Sequence, residues 1–205
     1  MKKEYKKFIL PSILLLIFIL IMLLVLLGYT TSIDSYVYNL VTSNMTDGKN
    51  NFFKFITLLG STKYMICMCI VFLIISVLTN KKRLTANVIL GLITSTIVNN
   101  VIKIIVCRER PDVLKLVEET TYSFPSGHTM AATMLYGILI YYVYNSKLNK
   151  YIKILLITLL SLLIILIMIS RIYLGAHYAT DVVAGLFLSV FLVIIMVNIC
   201  KKITE

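Results

Sequence analysis

Residues 8–29, FILPSILLLIFILIMLLVLLGY, carry no charged side chain and follow a lysine-rich start (Lys2, Lys3, Lys6 and Lys7). A helix needs about 20 predominantly apolar residues to cross roughly 30 Å of hydrocarbon, so this stretch alone predicts a membrane span. Pro11 falls in its first turn, where a missing N–H is harmless. The run is longer than the apolar region of a cleaved leader and no small-x-small cleavage site follows it, so a span is the better reading. Five more long apolar runs lie at about 62–79, 84–102, 128–144, 154–170 and 177–200. The fold predicted is all-α, a polytopic membrane protein with six transmembrane helices in one bundle, forming a single domain over residues 1–205.

Composition supports this. Of 205 residues, 60% are hydrophobic and 14% charged, and the mean hydropathy is +0.95, which excludes a water-soluble domain and a disordered chain alike. The net charge of +11 is read first as membrane sidedness, because short cytoplasmic loops collect Lys and Arg. With the N-terminus inside, the cytoplasmic set is Lys2, Lys3, Lys6, Lys7, Lys81, Lys82, Arg83, Lys147, Lys150, Lys153, Lys201 and Lys202, against only Glu4 and Glu205. The other side is close to balance. Both termini are therefore predicted to be cytoplasmic, with a weak attraction to anionic lipid. No interleaving of aromatic and basic residues suggests a nucleic-acid surface.

The external segment from Thr30 to Ser61 has a helical apolar stripe at Ile33, Tyr36, Val37, Leu40 and Val41, followed by Phe52, Phe53, Phe55 and Ile56. It reads as a short helix and anchor lying on the bilayer surface, in preference to a substrate gate. Internal repeats and the paired broken helices of many transporters are not evident.

Charged groups at membrane depth are costly, roughly 2.5 to 3.5 kcal/mol at a helix centre, so their placement is informative. Here they gather toward one side: Lys103 at the outer end of the third span, Arg108, Arg110 and Pro111 after it, Ser123-Phe124-Pro125-Ser126-Gly127-His128 opening the fourth, and Ser170 to Asp181 joining the fifth and sixth. Lys103, Arg110 and Arg171 are three cations from separate segments, a set suited to a phosphate. The turn ending in Gly127 opens a helix whose free N–H groups and positive dipole end can face an anion. Ser126 can cap that helix or donate to a phosphate oxygen, with capping the commoner use.

The two histidines both lie in these clusters. His177 and Asp181 are four apart and on a helix share a face, so the carboxylate can hold one ring nitrogen and leave the other as a nucleophile. An isolated His–Asp pair is more often structural. His128 is placed to protonate a leaving alkoxide. Two histidines so committed do not supply a metal site, and neither a catalytic metal nor any cofactor is expected. Cys67, Cys69, Cys107 and Cys200 suggest no disulfide and read as packing residues. Asn99 and Asn100 read as interhelical polar contacts beside Lys103.

In order, Lys103 with six residues before Arg110-Pro111, then Pro125-Ser126-Gly127-His128, then Ser170-Arg171 with five residues before His177 and three before Asp181 closely resemble the three-part signature of the type 2 phosphatidic acid phosphatase superfamily. The resemblance implies a six-helix bundle and a phosphohistidine mechanism. His177 would attack phosphorus, Asp181 would orient it, and His128 would serve as general acid and base. Lys103, Arg110, Ser126, Gly127 and Arg171 would hold the phosphoryl oxygens.

A site at the outer rim of the bundle suits a phosphate on an acyl or polyprenyl chain, whose tail stays in lipid. The resemblance implies phosphatidic acid, phosphatidylglycerophosphate or undecaprenyl diphosphate as substrate, at the extracytoplasmic face of the cell membrane. A non-enzymatic lipid-phosphate binder or transporter using the same cations is the competing reading. Glu118 and Glu119, in the loop from Asp112 to Tyr122, are expected to be solvated rather than to select head groups.

Overall fold

A computed structural model describes residues 2–79 and 82–203, and side chains within residues 8–79 and 82–199. Several charges used above to orient the chain therefore lie outside the described residues or side chains: Lys2, Lys3, Glu4, Lys6, Lys7, Lys81, Lys201, Lys202 and Glu205. So does the side chain of Cys200. Among the described residues the regular structure is helical throughout: α1 (Lys2–Leu26), α2 (Thr31–Thr42), α3 (Asp47–Leu58), α4 (Thr62–Thr79), α5 (Lys82–Val106), α6 (Gly127–Tyr144), α7 (Lys150–Tyr173) and α8 (Ala179–Ile203).

Five of these are long and apolar enough to cross a bilayer: Phe8–Leu26 of α1, then α4, α5, α7 and Ala179–Ile199 of α8. Their outward leucines and isoleucines are exposed, as expected of surface that faces hydrocarbon. The sixth expected span corresponds to α6, which does not reach that apolarity. Its polarity has a location. His128, Thr129 and Thr133 and four tyrosines lie on it, and α6 packs against α5, α7 and α8 in the middle of the bundle. Met130, Ala132, Met134, Leu135 and Ile138 are fully buried there. A helix surrounded by protein needs no lipid-compatible face, so hydropathy marks five spans where six were expected.

The segment from Thr30 to Ser61 is helical as the stripe predicts, in two pieces. Both dock on the bundle, α2 against α7 and α8 and α3 against α7. The apolar stripe of α2 divides: Val37 and Val41, with Tyr38, pack on Ile172, Ala179 and Val182, whereas Ile33, Tyr36 and Leu40 are exposed. The charged Asp34 is the buried residue of α2. On α3, Ile56 is buried and the Phe53 ring lies 4.4 Å from that of Tyr173, while Phe52 and Phe55 face outward. The free cysteines Cys67 and Cys107 are exposed rather than packed.

Two irregular stretches close one end of the bundle: residues 107–126 and the turn at 174–178. They are tied by backbone bonds from Leu116 N to Leu174 O at 3.1 Å, Ser123 N to Arg108 O at 2.8 Å and Ser126 N to Asp181 O at 3.1 Å. Phe124, fully buried, stacks on Phe18 of α1 with centroids 6.0 Å apart. The turn depends on Gly175, whose φ is +68° and whose missing Cβ would run into the backbone carbonyl of Leu114. Left-handed backbone costs other residues about 1–3 kcal/mol, before any clash. Gly175→Ala is expected to lower thermal stability in detergent by at least that amount; an unchanged melting temperature would show that the turn tolerates a side chain.

Candidate active site

The C-terminal ends of α5 and α7 and the N-terminal ends of α6 and α8 meet beneath these loops. Between them lies a cavity of about 250 Å³, lined among others by Lys103, Arg110, Glu119, Gly127, His128 and His177. Three sequence segments far apart in the chain thus supply one pocket. Lys103 lies in the last turn of α5, 6% exposed, at the helix end where the sequence places it, although α5 runs on to Val106 and does not stop at Ile102. Its ammonium donates to the Tyr122 carbonyl and, at 3.2 Å, to Thr121 Oγ1.

His177 lies in the turn before α8, not on the helix, so helical spacing is not what brings it to Asp181. The turn does so, with Nδ1 3.5 Å from Asp181 Oδ2. On the opposite side of the ring, Nε2 is 3.3 Å from Arg110 Nη1. A carboxylate can only accept and a guanidinium can only donate, so these neighbours assign the proton to Nδ1 and the lone pair to Nε2. Burial penalises the imidazolium and brings the His177 pKa down to about 4; the Asp181 hydrogen bond opposes this, and Arg171 and Arg110 reinforce it. The ring is neutral at pH 7, with Nε2 able to act as a nucleophile.

Asp181 has no exposed surface and is fully engaged. Its Oδ2 accepts from the Ser123 hydroxyl and, at 3.0 Å, from Tyr178 N, while Oδ1 accepts from Arg108 Nη1 at 2.5 Å. The Tyr178 contact also satisfies a donor ahead of α8, as a capping carboxylate does.

The remaining cations converge on a carboxylate. Arg171 is 1% exposed; its Nη1 donates to Thr57 Oγ1 at 2.8 Å and its Nη2 pairs with Glu119. Arg171 Nε is buried without a partner. Glu119 also lies 3.8 Å from Arg110 and 3.9 Å from His128 Nδ1. Burial would raise its pKa, but Arg171 and Arg110 outweigh that and hold it below the ordinary carboxylate range. The expectation of a solvated Glu119 is therefore corrected: this acid is the anion of the pocket, attracted by three positively charged or protonatable groups.

Not every predicted phosphate ligand faces the cavity. Ser126 is fully buried and caps α6, accepting from Thr129 N at 3.4 Å and Thr129 Oγ1 at 3.1 Å. Gly127 lines the cavity, and a Cβ there would meet Asn99 Oδ1 at 3.2 Å. Asn99 in turn donates to Pro125 O at 3.0 Å, an interhelical support for the turn. Sequence reasoning gave no role to Asp34, Arg108, Thr121 or Ser123. Asp34 offered a signal, being an acid beside an otherwise apolar stripe. Among the described residues no three His, Cys, Asp or Glu side chains converge to hold a metal ion.

Comparison with known proteins identifies the family and fold. Residues 84–205 match the PAP2 superfamily. Phosphatidylglycerophosphatase B of Bacillus subtilis (strain 168) is 35% identical over 115 residues, which are 54% of this chain and only 55% of that relative's length. The fold is similar to the crystal structure of the first transmembrane PAP2 type phosphatidylglycerolphosphate phosphatase from Bacillus subtilis, with a TM-score of 0.86 and 26% identity over 94% of this chain and 96% of that one. It is also similar to Aquifex aeolicus LpxE, with a TM-score of 0.62 and 25% identity over 82% of this chain and 93% of that one.

If Glu119 competes with external anions for Arg171 and Arg110, Glu119→Gln should tighten inhibition by orthovanadate or inorganic phosphate by about threefold to tenfold. Weaker inhibition would mean that Glu119 helps to bind the anion instead of displacing it.

Proposed function

The chain belongs to the PAP2 superfamily, and from that premise we propose that it hydrolyses a lipid phosphate through a phosphohistidine on His177, without a metal ion, at the extracytoplasmic face of the cell membrane. The observation that carries the reading is the polarity of one ring: His177 presents Nε2 to a cationic cavity while Asp181 holds Nδ1 behind it. Phosphatidylglycerophosphate is the favoured substrate, because the similarity to Bacillus subtilis proteins, by sequence and by fold, is to ones named for acting on it.

In the first step His177 Nε2 attacks phosphorus and the bond from phosphorus to the lipid oxygen breaks. His128, across the cavity, gives its proton to the departing oxygen. Lys103 and Arg110, which line the cavity, hold the phosphoryl oxygens as charge shifts, and Arg171, behind the lining, joins them once the anion displaces Glu119 from it. Asp181 stabilises the ring as it becomes cationic. A water then attacks phosphorus and passes its proton to His128. The P–N bond breaks, releasing inorganic phosphate and restoring Nε2. Gly127 keeps the backbone turn close to the phosphate, and Ser126 serves the site by capping the helix that carries His128.

Six spans, with α6 as the protein-surrounded sixth, leave both termini cytoplasmic and bring this end of the bundle to the outer leaflet. A head group there can reach the cavity while its acyl chains remain in lipid.

Purified protein in detergent with EDTA is expected to release phosphate from phosphatidylglycerophosphate, with phosphatidic acid and undecaprenyl diphosphate assayed beside it. His177→Ala should lower turnover by at least about 10³-fold while lipid binding persists. Binding without phosphate release by the wild-type protein would favour a binder or transporter; unchanged turnover in the variant would remove His177 from the reaction.

A further inference from the structure

The carboxylate that orients His177 is held by Arg108, which is itself paired with Asp34, a residue outside the segment matched by the family. Arg108 forks between two buried acids: Nη1 donates to Asp181 Oδ1 at 2.5 Å and Nη2 to Asp34 Oδ2 at 2.7 Å. The same guanidinium donates to Thr180 Oγ1 at 2.9 Å and Thr30 Oγ1 at 3.1 Å, and its centre lies 3.9 Å above the Tyr178 ring. Asp34 reaches from α2 to the start of α8, where Oδ1 accepts from Thr180 N at 2.9 Å. The side chains of Asp34 and Asp181 are 1% and 0% exposed and that of Arg108 is 14% exposed.

We propose that Arg108 and Asp34 are positioning residues of the active site, a buried relay through which the external helix α2 fixes the Asp181 carboxylate and thereby the reactive face of His177.

Two physical features carry this. The first is geometry. A planar guanidinium donates along two edges in fixed directions, so anchoring one edge on Asp34 orients the other on Asp181. Asp34 is in turn immobilised by Thr180, one residue before Asp181. The chain of contacts therefore closes into a ring that leaves Asp181 little rotational freedom. The second is charge. One cation between two carboxylates leaves the set one negative charge in excess, next to a ring that turns positive when Nε2 bonds to phosphorus. Without Asp34, Arg108 would neutralise Asp181 alone and that excess would be lost. Neither Arg108 nor Asp34 lines the cavity that holds Lys103, Arg110 and His128, so their effect should fall on the chemical step and spare substrate binding. The relay also explains why a charged residue interrupts the apolar side of α2: a buried acid is tolerated when it is paired and hydrogen-bonded.

This inference rests on the phosphatase reading, and its test keeps the two apart. Steady-state kinetics on phosphatidylglycerophosphate in detergent would compare wild type, His177→Ala, Asp34→Asn, Arg108→Lys and Arg108→Met, each with its melting temperature. The relay predicts that kcat falls about tenfold in Asp34→Asn and at least about hundredfold in Arg108→Met, with KM within about threefold of wild type. Arg108→Lys should recover part of the loss, since it restores charge but not the fork. Should Arg108→Met fail to fold, Asp34→Asn and Arg108→Lys decide the question. Wild-type kcat in Asp34→Asn, or losses that appear in KM alone, would overturn the relay while leaving the phosphatase reading intact. Turnover retained by His177→Ala, or absent from wild type, would instead defeat the reading on which the relay depends.

Discussion

A guanidinium with 1% of its surface exposed, Arg171 at the end of a membrane helix, is the constraint around which this end of the molecule is organised. Removing such a cation from water costs several kcal/mol unless other groups satisfy it. Two long-range contacts do so. Thr57 comes from α3 and Glu119 from the loop after α5, so pairing one cation draws a short helix and a loop onto the bundle. A second buried charge, Asp181, does the same for α2 and the Ser123 loop. The loops are ordered over the cavity because charges beneath them must be answered.

These arrangements place opposing demands on the site. Cations concentrated for an anionic ligand repel one another in its absence, and Glu119 relieves that repulsion from within the chain. On the other side of His177, Arg108 serves the carboxylates in place of the ligand. The histidine ring stands between a cationic pocket and an acid-rich anchor, and that asymmetry assigns its proton to Nδ1. A ring buried among neutral groups would have no such preference.

Much of this was legible in the chain. Five spans followed from apolar length alone, and Lys103, Arg110, His128, Arg171 and His177 could be assigned to one end of the bundle because alternate spans reverse direction. The sixth expected span, α6, falls short in apolarity, and its histidine and tyrosines sit among neighbouring helices. The docking of α2 was hidden for a different reason: Asp34 and Arg108 are 74 residues apart, and no local periodicity encodes such a pairing. Glu119 reads as solvated because loop acids usually are; only the converging guanidinium groups reveal that it is half-buried and paired. The sequence leaves Ser126 two possible uses, and the fold employs its hydroxyl as a cap.

The proposed reaction passes through a covalent bond between His177 Nε2 and phosphorus. Quenching the enzyme in alkaline detergent during turnover of a lipid labelled in its terminal phosphate should trap a phosphoprotein that is stable to base and lost in acid, with the label on His177 and none on the His177→Ala protein. Brisk phosphate release with no trappable label under conditions that slow hydrolysis of the intermediate, or a label retained by His177→Ala, would contradict it.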